Sequence, residues 1–155
     1  MAKKKSLEWQ NCSEEQLELK IARFVDEHCT PGSLILLEGE MGAGKSSFAR
    51  AVIRRLSKSS RSQGSPTFPL VQEYIADQEF PIYHIDLYRL RSEDELDHSG
   101  ISDQLDSKDA LVLVEWASLF PGFFESYIRS GTPRKVIQVQ IKGHGDCRTY
   151  RMEKY

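Results

Sequence analysis

The sequence predicts a three-layer α/β fold, in which a mainly parallel central sheet lies between helices and an antiparallel hairpin ends the chain. Continuous apolar runs at residues 33–38 and 110–115 are typical of parallel strands that are buried on both faces. Segments with the 3.6-residue periodicity of amphipathic helices alternate with these runs. Because no linker-like segment or internal repeat divides the chain, we expect a single domain over residues 1–155.

The first half of the chain alternates strands and helices. An edge strand is predicted at residues 7–9. It precedes Ser13 and Gln16, whose spacing matches a capping box and predicts a helix start. Apolar residues at helical spacing extend this helix to about residue 29, where a Thr-Pro-Gly sequence ends it. The first buried strand follows, and residues 46–58 have the pattern of the next amphipathic helix.

The second half repeats the alternation and then ends on a hairpin. Its predicted elements are strands at 70–75 and 80–86, a short acidic helix opened by a capping-box spacing at 92–95, the buried strand at 110–115, a helix at 120–129, and strands at 135–142 and 148–153. Pro121 either begins or interrupts the helix at 120–129. Alternating apolar residues and a turn at 143–146 favour an antiparallel pairing of the last two strands.

Composition and charge exclude several classes of protein. Charged residues make up 28% and hydrophobic residues 39% of the chain, a balance that argues against disorder. The net charge of −2 excludes a strongly basic nucleic-acid scaffold, and no apolar run reaches membrane-spanning length. Cys12, Cys29 and Cys147 are too few and too far apart for a disulfide framework or a zinc site. We therefore expect a cytoplasmic protein with reduced thiols and no membrane partner.

The segment at residues 39–46 reads GEMGAGKS and matches the P-loop pattern G-x-x-x-x-G-K-[ST]. It follows a buried strand and opens a helix, so backbone N–H groups and the helix dipole would converge on a polyphosphate. Lys45 is expected to reach the β- and γ-phosphates, and the Ser46 hydroxyl to bind Mg²⁺. The motif predicts a P-loop NTPase-like fold that binds a nucleoside triphosphate. The predicted binding residues of the loop are Glu40, Met41, Gly42, Ala43, Gly44, Lys45, Ser46 and Ser47.

Two carboxylates end apolar runs, at the carboxyl ends of strands where an α/β sheet places its catalytic groups. One of Asp86 and Glu115 is expected to bind Mg²⁺ and the other to polarise the attacking water, and the residues alone leave open which does which. Thr67 is a candidate sensor of the γ-phosphate, although a strand entry fixed by proline explains its surroundings more simply. His84 is more typical of a packed or hydrogen-bonded residue than of a catalytic one, and Trp116 fits either the core or the nucleotide site equally well.

Four sequence blocks in this order resemble the bacterial TsaE family, also called YjeE. They are GEMGAGKS at 39–46, SPTF at 65–68, HIDLYRL at 84–90 and EW at 115–116. The P-loop block is shared widely with other proteins, but the four blocks together are specific, and the resemblance covers roughly residues 7–141.

The resemblance implies a small ATPase that uses ATP and Mg²⁺ and supports the threonylcarbamoyladenosine modification at position 37 of tRNAs reading codons that start with A. It implies TsaD and TsaB as protein partners, and we expect contact with tRNA to be indirect. The implied catalytic residues are Asp86, Thr67 and Lys45. The implied metal ligands are Ser46 and Glu115, and Trp116 is implied to line the nucleotide site.

Two alternative functions compete with a partner-activated ATPase. A small-molecule kinase also places a P-loop on a small α/β domain, but it usually closes an arginine-bearing lid over the phosphates. The acidic stretch at 92–109 has no such arginine, which disfavours a kinase. A nucleotide-gated binding module without useful turnover is the other alternative. It predicts that the protein binds ATP or ADP tightly. It also predicts that Asp86→Ala leaves the rate of ATP hydrolysis unchanged.

Overall fold

The structure, a computed structural model, describes residues 6–59, 70–129 and 134–155. Its elements in chain order are β1 (Ser6–Cys12), α1 (Glu14–His28), β2 (Leu34–Glu38), α2 (Lys45–Leu56), β3 (Val71–Ile75), β4 (Pro81–Asp86), α3 (Glu93–His98), α4 (Ser102–Asp106), β5 (Leu111–Glu115), α5 (Pro121–Arg129), β6 (Val136–His144) and β7 (Cys147–Lys154). A short 3-10 turn, Ala117–Leu119, joins β5 to α5. In the described part of the chain, no helix is both long and apolar enough to cross a membrane.

The strands form one seven-stranded sheet in the order β1-β7-β6-β2-β5-β4-β3. The four central strands, β6, β2, β5 and β4, are parallel, whereas β7 and β1 at one edge and β3 at the other pair antiparallel. This arrangement confirms the predicted α/β fold with a parallel centre and an antiparallel C-terminal hairpin. The P-loop strand β2 lies at the middle of the sheet, with β5 on one side and β6 on the other.

Helices cover both faces of the sheet and complete the three layers. One core cluster joins α1 and α2 to one face, and the other joins α3, α4 and α5 to the opposite face. Within the first cluster, neighbouring ring centroids of Trp9, Phe24, Phe48 and Tyr150 are 5.4 to 6.1 Å apart. Each such aromatic pair adds about 0.5 to 1.5 kcal/mol beyond its buried area. These rings tie α2, the helix that follows the P-loop, to the C-terminal hairpin.

Local sequence signals explain most element boundaries. The predicted capping box starts α1, because the Gln16 backbone N–H donates to Ser13 Oγ at 3.2 Å and the Gln16 side chain accepts from the Ser13 N–H at 2.9 Å. At the start of α3, Ser92 Oγ accepts from the Glu95 backbone N–H at 3.2 Å, but the predicted box is not reciprocal, since the Glu95 side chain accepts from the Arg91 N–H. Pro121 begins α5 rather than interrupting it. The prediction for β1 was too short, since pairing with β7 extends it to Ser6–Cys12. Helix α4 and the 3-10 turn were not predicted, because both are too short to show a helical period.

Candidate functional site

The P-loop connects the carboxyl end of β2 to the start of α2. At two of its positions, steric contacts require glycine. Gly39 has φ +155°, and a Cβ there would lie 2.5 Å from the carbonyl oxygen of Ile141 on β6. Gly44, the N-cap of α2, has φ +111°, and a Cβ there would overlap the guanidinium of Arg148. Both are conformations that other residues rarely adopt. The loop is therefore packed closely against the C-terminal hairpin.

Lys45 folds back over the loop that precedes it. Its Nζ donates hydrogen bonds of 2.7 Å to the carbonyl oxygens of Gly39 and Glu40 and lies 3.9 Å from the ring centroid of Trp116. Trp116 has φ +67°, a left-handed conformation that turns the chain directly after β5. Burial lowers the pKa of Lys45, and the nearby carboxylates, Glu115 first among them, oppose that shift. The ammonium group of Lys45 is thus held in the P-loop by two backbone carbonyl oxygens and by the face of the Trp116 ring.

Glu115 lies at the centre of a hydrogen-bonded group next to the start of α2. Ser46 Oγ donates to its two carboxylate oxygens at 2.8 and 3.1 Å, and His84 Nε2 lies 2.6 Å from Oε2. The Glu115 side chain is almost fully buried. Burial alone would raise the pKa of Glu115, but the hydrogen bonds from His84 and Ser46, together with the electrostatic effects of His84 and Lys45, outweigh it and the pKa is lowered. Glu115 is therefore held as a carboxylate.

Asp86 stands beside Glu115 because β4 and β5 are parallel and in register, with Asp86 paired to Glu115. Its side chain is exposed, and its Oδ1 accepts a 3.0 Å hydrogen bond from the Tyr88 backbone N–H. The Tyr88 ring packs against Trp116, with centroids 5.0 Å apart. The carboxyl ends of two neighbouring strands thus present an exposed and a buried carboxylate to the same space.

A cavity of about 300 Å³ at the start of α2 collects most of the predicted site residues. Those that line it are Met41, Gly42, Gly44, Lys45, Ser46, Ser47, Asp86, Glu115 and Trp116. The remaining predicted loop residues, Glu40 and Ala43, line a neighbouring cavity of about 640 Å³ between the P-loop and residues 140–145. Thr67 lies outside the described residues, as does the rest of the 65–68 block.

Three further residues of the site were missed by the sequence predictions. Arg148, on β7, lines the 300 Å³ cavity, but it belongs to no motif, and only the folded hairpin brings it there. Tyr88 had a usable signal, since it lies two residues after Asp86 in the HIDLYRL block. Glu38 ends the apolar run of β2 just as Asp86 and Glu115 end theirs. The same signal was therefore present for Glu38 but was not used.

Glu38 differs from the other strand-terminal carboxylates in its burial. Only 8% of the residue surface is exposed, and Oε2 has no hydrogen-bond partner among the described residues. Burial raises the pKa of Glu38, against the opposing effects of Ser118 and the charge of Lys45. Burial and an unsatisfied oxygen atom both destabilise the charged form of this carboxyl group.

The oxygen atoms of Ser46 and Glu115 have the chemistry that Mg²⁺ requires, since both are hard ligands and they already converge within hydrogen-bonding distance. Among the described residues, no group of three or more histidine, cysteine or acidic side chains could enclose a metal ion. Mg²⁺ typically binds through one or two protein oxygens and completes its shell with waters and phosphate oxygens. The residues present therefore fit Mg²⁺ bound together with a nucleotide, rather than a metal held by protein alone.

A family model described as "Threonylcarbamoyl adenosine biosynthesis protein TsaE" matches residues 12–150 of the chain. The chain belongs to the TsaE family. The predicted family is thereby confirmed, and its printed description links the family to threonylcarbamoyladenosine biosynthesis.

Individual TsaE proteins show how far the similarity extends. The tRNA threonylcarbamoyladenosine biosynthesis protein TsaE of Bacillus subtilis (strain 168) is 34% identical over 142 residues, which are 92% of this chain and 81% of that protein. The protein of the same name from Rickettsia conorii is 39% identical over 107 residues, or 69% of this chain and 59% of that protein. A crystal structure of YdiB from B. subtilis superposes with a TM-score of 0.65 at 27% identity, covering 99% of this chain and 88% of that one. The P-loop NTPase-like fold is thus shared with a solved structure over nearly the whole chain.

Proposed function

We propose that this TsaE-family protein binds ATP with Mg²⁺ and hydrolyses it in support of the threonylcarbamoyladenosine modification of tRNA. The observation that carries the proposal is the convergence of a phosphate loop, a lysine, a hydroxyl and two carboxylates on one 300 Å³ cavity. These are the parts that phosphoryl transfer to water needs, since its catalysis consists mainly of positioning and charge stabilisation.

Nucleotide binding is assigned to the P-loop and Lys45. The backbone N–H groups at the start of α2 suit phosphate oxygens, and the positive end of the helix dipole favours the same ligand. Lys45 would exchange its bonds to Gly39 and Glu40 for bonds to the β- and γ-phosphates. The adjoining cavity of about 640 Å³ has the volume of a small-molecule site and leaves room for the nucleoside.

Ser46 and Glu115 would hold Mg²⁺, which supplies neutralisation of the charge on the β- and γ-phosphates. His84 orients the Glu115 carboxylate through its 2.6 Å hydrogen bond, as outer hydrogen bonds to metal ligands commonly do. The lowered pKa of Glu115 keeps this side chain ionised, which is the state that binds a cation. Glu115 is therefore our choice for the metal ligand and Asp86 for the group that acts on water.

Asp86 is exposed, lies beside Glu115 and is fixed in direction by the Tyr88 backbone N–H. These features suit a carboxylate that orients the attacking water and accepts its proton. Because Asp86 is exposed to solvent, we expect slow turnover by the isolated protein and faster turnover when partners complete the site. The proposed partners are TsaD and TsaB, with indirect contact to tRNA, in the cytoplasm.

The decisive experiment measures ATP hydrolysis with Mg²⁺, first for the protein alone and then with added TsaB and TsaD. Lys45→Ala and Asp86→Ala are the test variants. Asp109→Ala is the matched control, because Asp109 is an exposed carboxylate just before β5, at the opposite end of that strand. A slow rate that rises with the partners, disappears in both test variants and survives in the control is the expected result.

The other outcomes identify the alternative functions. Binding of ATP or ADP with a rate that Asp86→Ala leaves unchanged would indicate a nucleotide-gated binding module. Transfer of phosphate to an added small molecule would indicate a kinase. If TsaB and TsaD neither bind nor alter the rate, the proposed role with these partners is wrong.

A further inference from the structure

Arg148 reaches the P-loop from the last strand of the sheet. It lies on β7 beside Gly143 of β6, immediately after the turn of the C-terminal hairpin. Its Nε donates a 2.8 Å hydrogen bond to the carbonyl oxygen of Ala43. A side chain from the other end of the chain is thereby attached to the loop just before α2 begins.

The guanidinium of Arg148 also packs directly on Gly44. A Cβ at Gly44 would overlap Nε, Cδ and Cζ of Arg148, so the glycine is required for this approach as well as for its φ of +111°. Gly44 is the N-cap of α2, where unpaired backbone N–H groups and the positive end of the helix dipole meet. The arginine thus lies next to the helix end where an anion would bind.

The charges around the 300 Å³ cavity explain what a second cation would add. Of the described residues that line this cavity, Lys45 and Arg148 are cationic and Asp86 and Glu115 are anionic. The phosphates of a nucleotide would bring more negative charge into this space than Lys45 alone offsets. A guanidinium presents several N–H donors in a planar fork that matches phosphate oxygens.

We infer that Arg148 binds the phosphates of the nucleotide in the proposed ATP site. The inference rests on the proposed function and goes beyond it by assigning a role to a residue outside the P-loop and its motif. Because Arg148 contacts Ala43 and Gly44, in the part of the loop that cradles the α- and β-phosphates, it serves phosphates that ATP and ADP share. It is a binding residue and not a group that acts selectively on the γ-phosphate during hydrolysis.

The test compares Arg148→Gln and Arg148→Lys with the unaltered protein by isothermal titration with Mg-ADP and with a non-hydrolysable Mg-ATP analogue. Glutamine keeps an N–H donor for the Ala43 carbonyl but removes the charge, and lysine keeps the charge but removes the fork. The matched control is Arg151→Gln, an exposed arginine on the same strand that pairs with Glu153 at 3.4 Å. The thermal unfolding midpoint of each ligand-free protein is measured in parallel.

We expect Arg148→Gln to weaken binding of both nucleotides by about 10-fold to 100-fold, the usual effect of losing a charge-assisted hydrogen bond. Arg148→Lys should lose less, and Arg151→Gln should bind as the unaltered protein does. The affinity of Arg148→Gln should also fall less steeply when salt is raised from 50 to 200 mM, since one ionic contact is gone. The ligand-free unfolding midpoint should stay unchanged.

Three results would overturn the inference. Unchanged affinity of Arg148→Gln for Mg-ADP would leave the proposed function intact and remove the role of Arg148. If Arg148→Gln binds nucleotide more weakly, but its ligand-free unfolding midpoint is also lowered and the salt dependence of its affinity is unaltered, Arg148 only supports the structure of the loop. Failure of the unaltered protein to bind either nucleotide would instead refute the proposed function itself.

Discussion

Replacing His84 by alanine is expected to destabilise the protein by removing the hydrogen bond that holds the buried Glu115 carboxylate. The two side chains are 12% and 4% exposed, and their closest atoms are 2.6 Å apart. In this variant, the hydrogen bond from Ser46 and the charge of Lys45 would still stabilise the Glu115 carboxylate, so the carboxylate loses only part of its stabilisation. The strength of the pair is best measured as the coupling between His84→Ala and Glu115→Gln.

The expected coupling follows from the charge on Glu115. A hydrogen bond to a charged group contributes about 1.5 to 3 kcal/mol, and a neutral one about 0.5 to 1.5 kcal/mol. Glutamine keeps the shape and accepts from Ser46 but carries no charge. We therefore expect the two substitutions to couple by about 1 to 2 kcal/mol at pH 7.5.

Urea unfolding of the unaltered protein, both single variants and the double variant gives this coupling directly. His98→Ala serves as the control, because His98 is exposed and its Nδ1 lies 2.6 Å from a backbone oxygen of its own helix, that of Asp94. Its effect should stay within about 0.5 kcal/mol.

The coupling should also depend on pH in one direction. Because the pKa of Glu115 is lowered in the fold from its ordinary value of 4.5, the charged form contributes stability above that pH. This contribution should be lost as the pH falls below 4.5 and through the folded-state pKa. A coupling under about 0.5 kcal/mol at pH 7.5, or one that acid does not reduce, would refute the reasoning.

Four further substitutions test the packing and the buried charge around the site. Gly39→Ala should lower the free energy of unfolding by about 3 kcal/mol or more, because its Cβ would meet the Ile141 carbonyl, whereas Gly42→Ala, at φ +78° in open space, should cost about 1 kcal/mol. Equal losses for the two in urea titrations would contradict this difference. Glu38→Gln should raise the free energy of unfolding at pH 7.5 by about 1 kcal/mol, since it replaces a buried carboxylate of raised pKa. The gain should vanish toward pH 4.5, and thermal melts that show no gain at pH 7.5 would exclude it. Phe48→Ala should cost about 3 to 5 kcal/mol by urea unfolding, and a loss under 2 kcal/mol would mean that the aromatic cluster repacks.

The parts of the site that were predictable from the sequence are those with short-range signals. The P-loop pattern, the buried strand before it and the helix after it are contiguous, so residues 39–46 indicate both a structure and a ligand. Asp86 and Glu115 were found because each ends an apolar run, and parallel strands bring their carboxyl ends together. Their proposed division of roles was implied by the family resemblance but could not be derived from the residues alone, because it depends on which carboxylate meets Ser46 and which stays exposed.

The contacts of the C-terminal hairpin depend on the order of the strands in the sheet. Short-range sequence patterns do not determine that order. The hairpin itself was predicted from alternation and a turn, but not its place beside β2 or the insertion of β7 between β1 and β6. The position of Arg148 at the P-loop follows from that order alone. His84 was expected to pack or to hydrogen-bond, but its partner, Glu115, lies on the neighbouring strand and became evident only from the register.

The strand order also has a consequence for the synthesis of the chain. Leu34 of the P-loop strand pairs with Val112 and Val136, so the strands on both sides of the loop leave the ribosome long after the loop itself. Such distant parallel pairings form slowly, and until they form the buried strand β2 exposes its apolar side chains. Arg148 emerges later still, so its contact with the P-loop, and with it the proposed phosphate site, is complete only once the hairpin has docked. A nucleotide bound at the proposed site would therefore stabilise finished molecules and leave nascent chains unaffected.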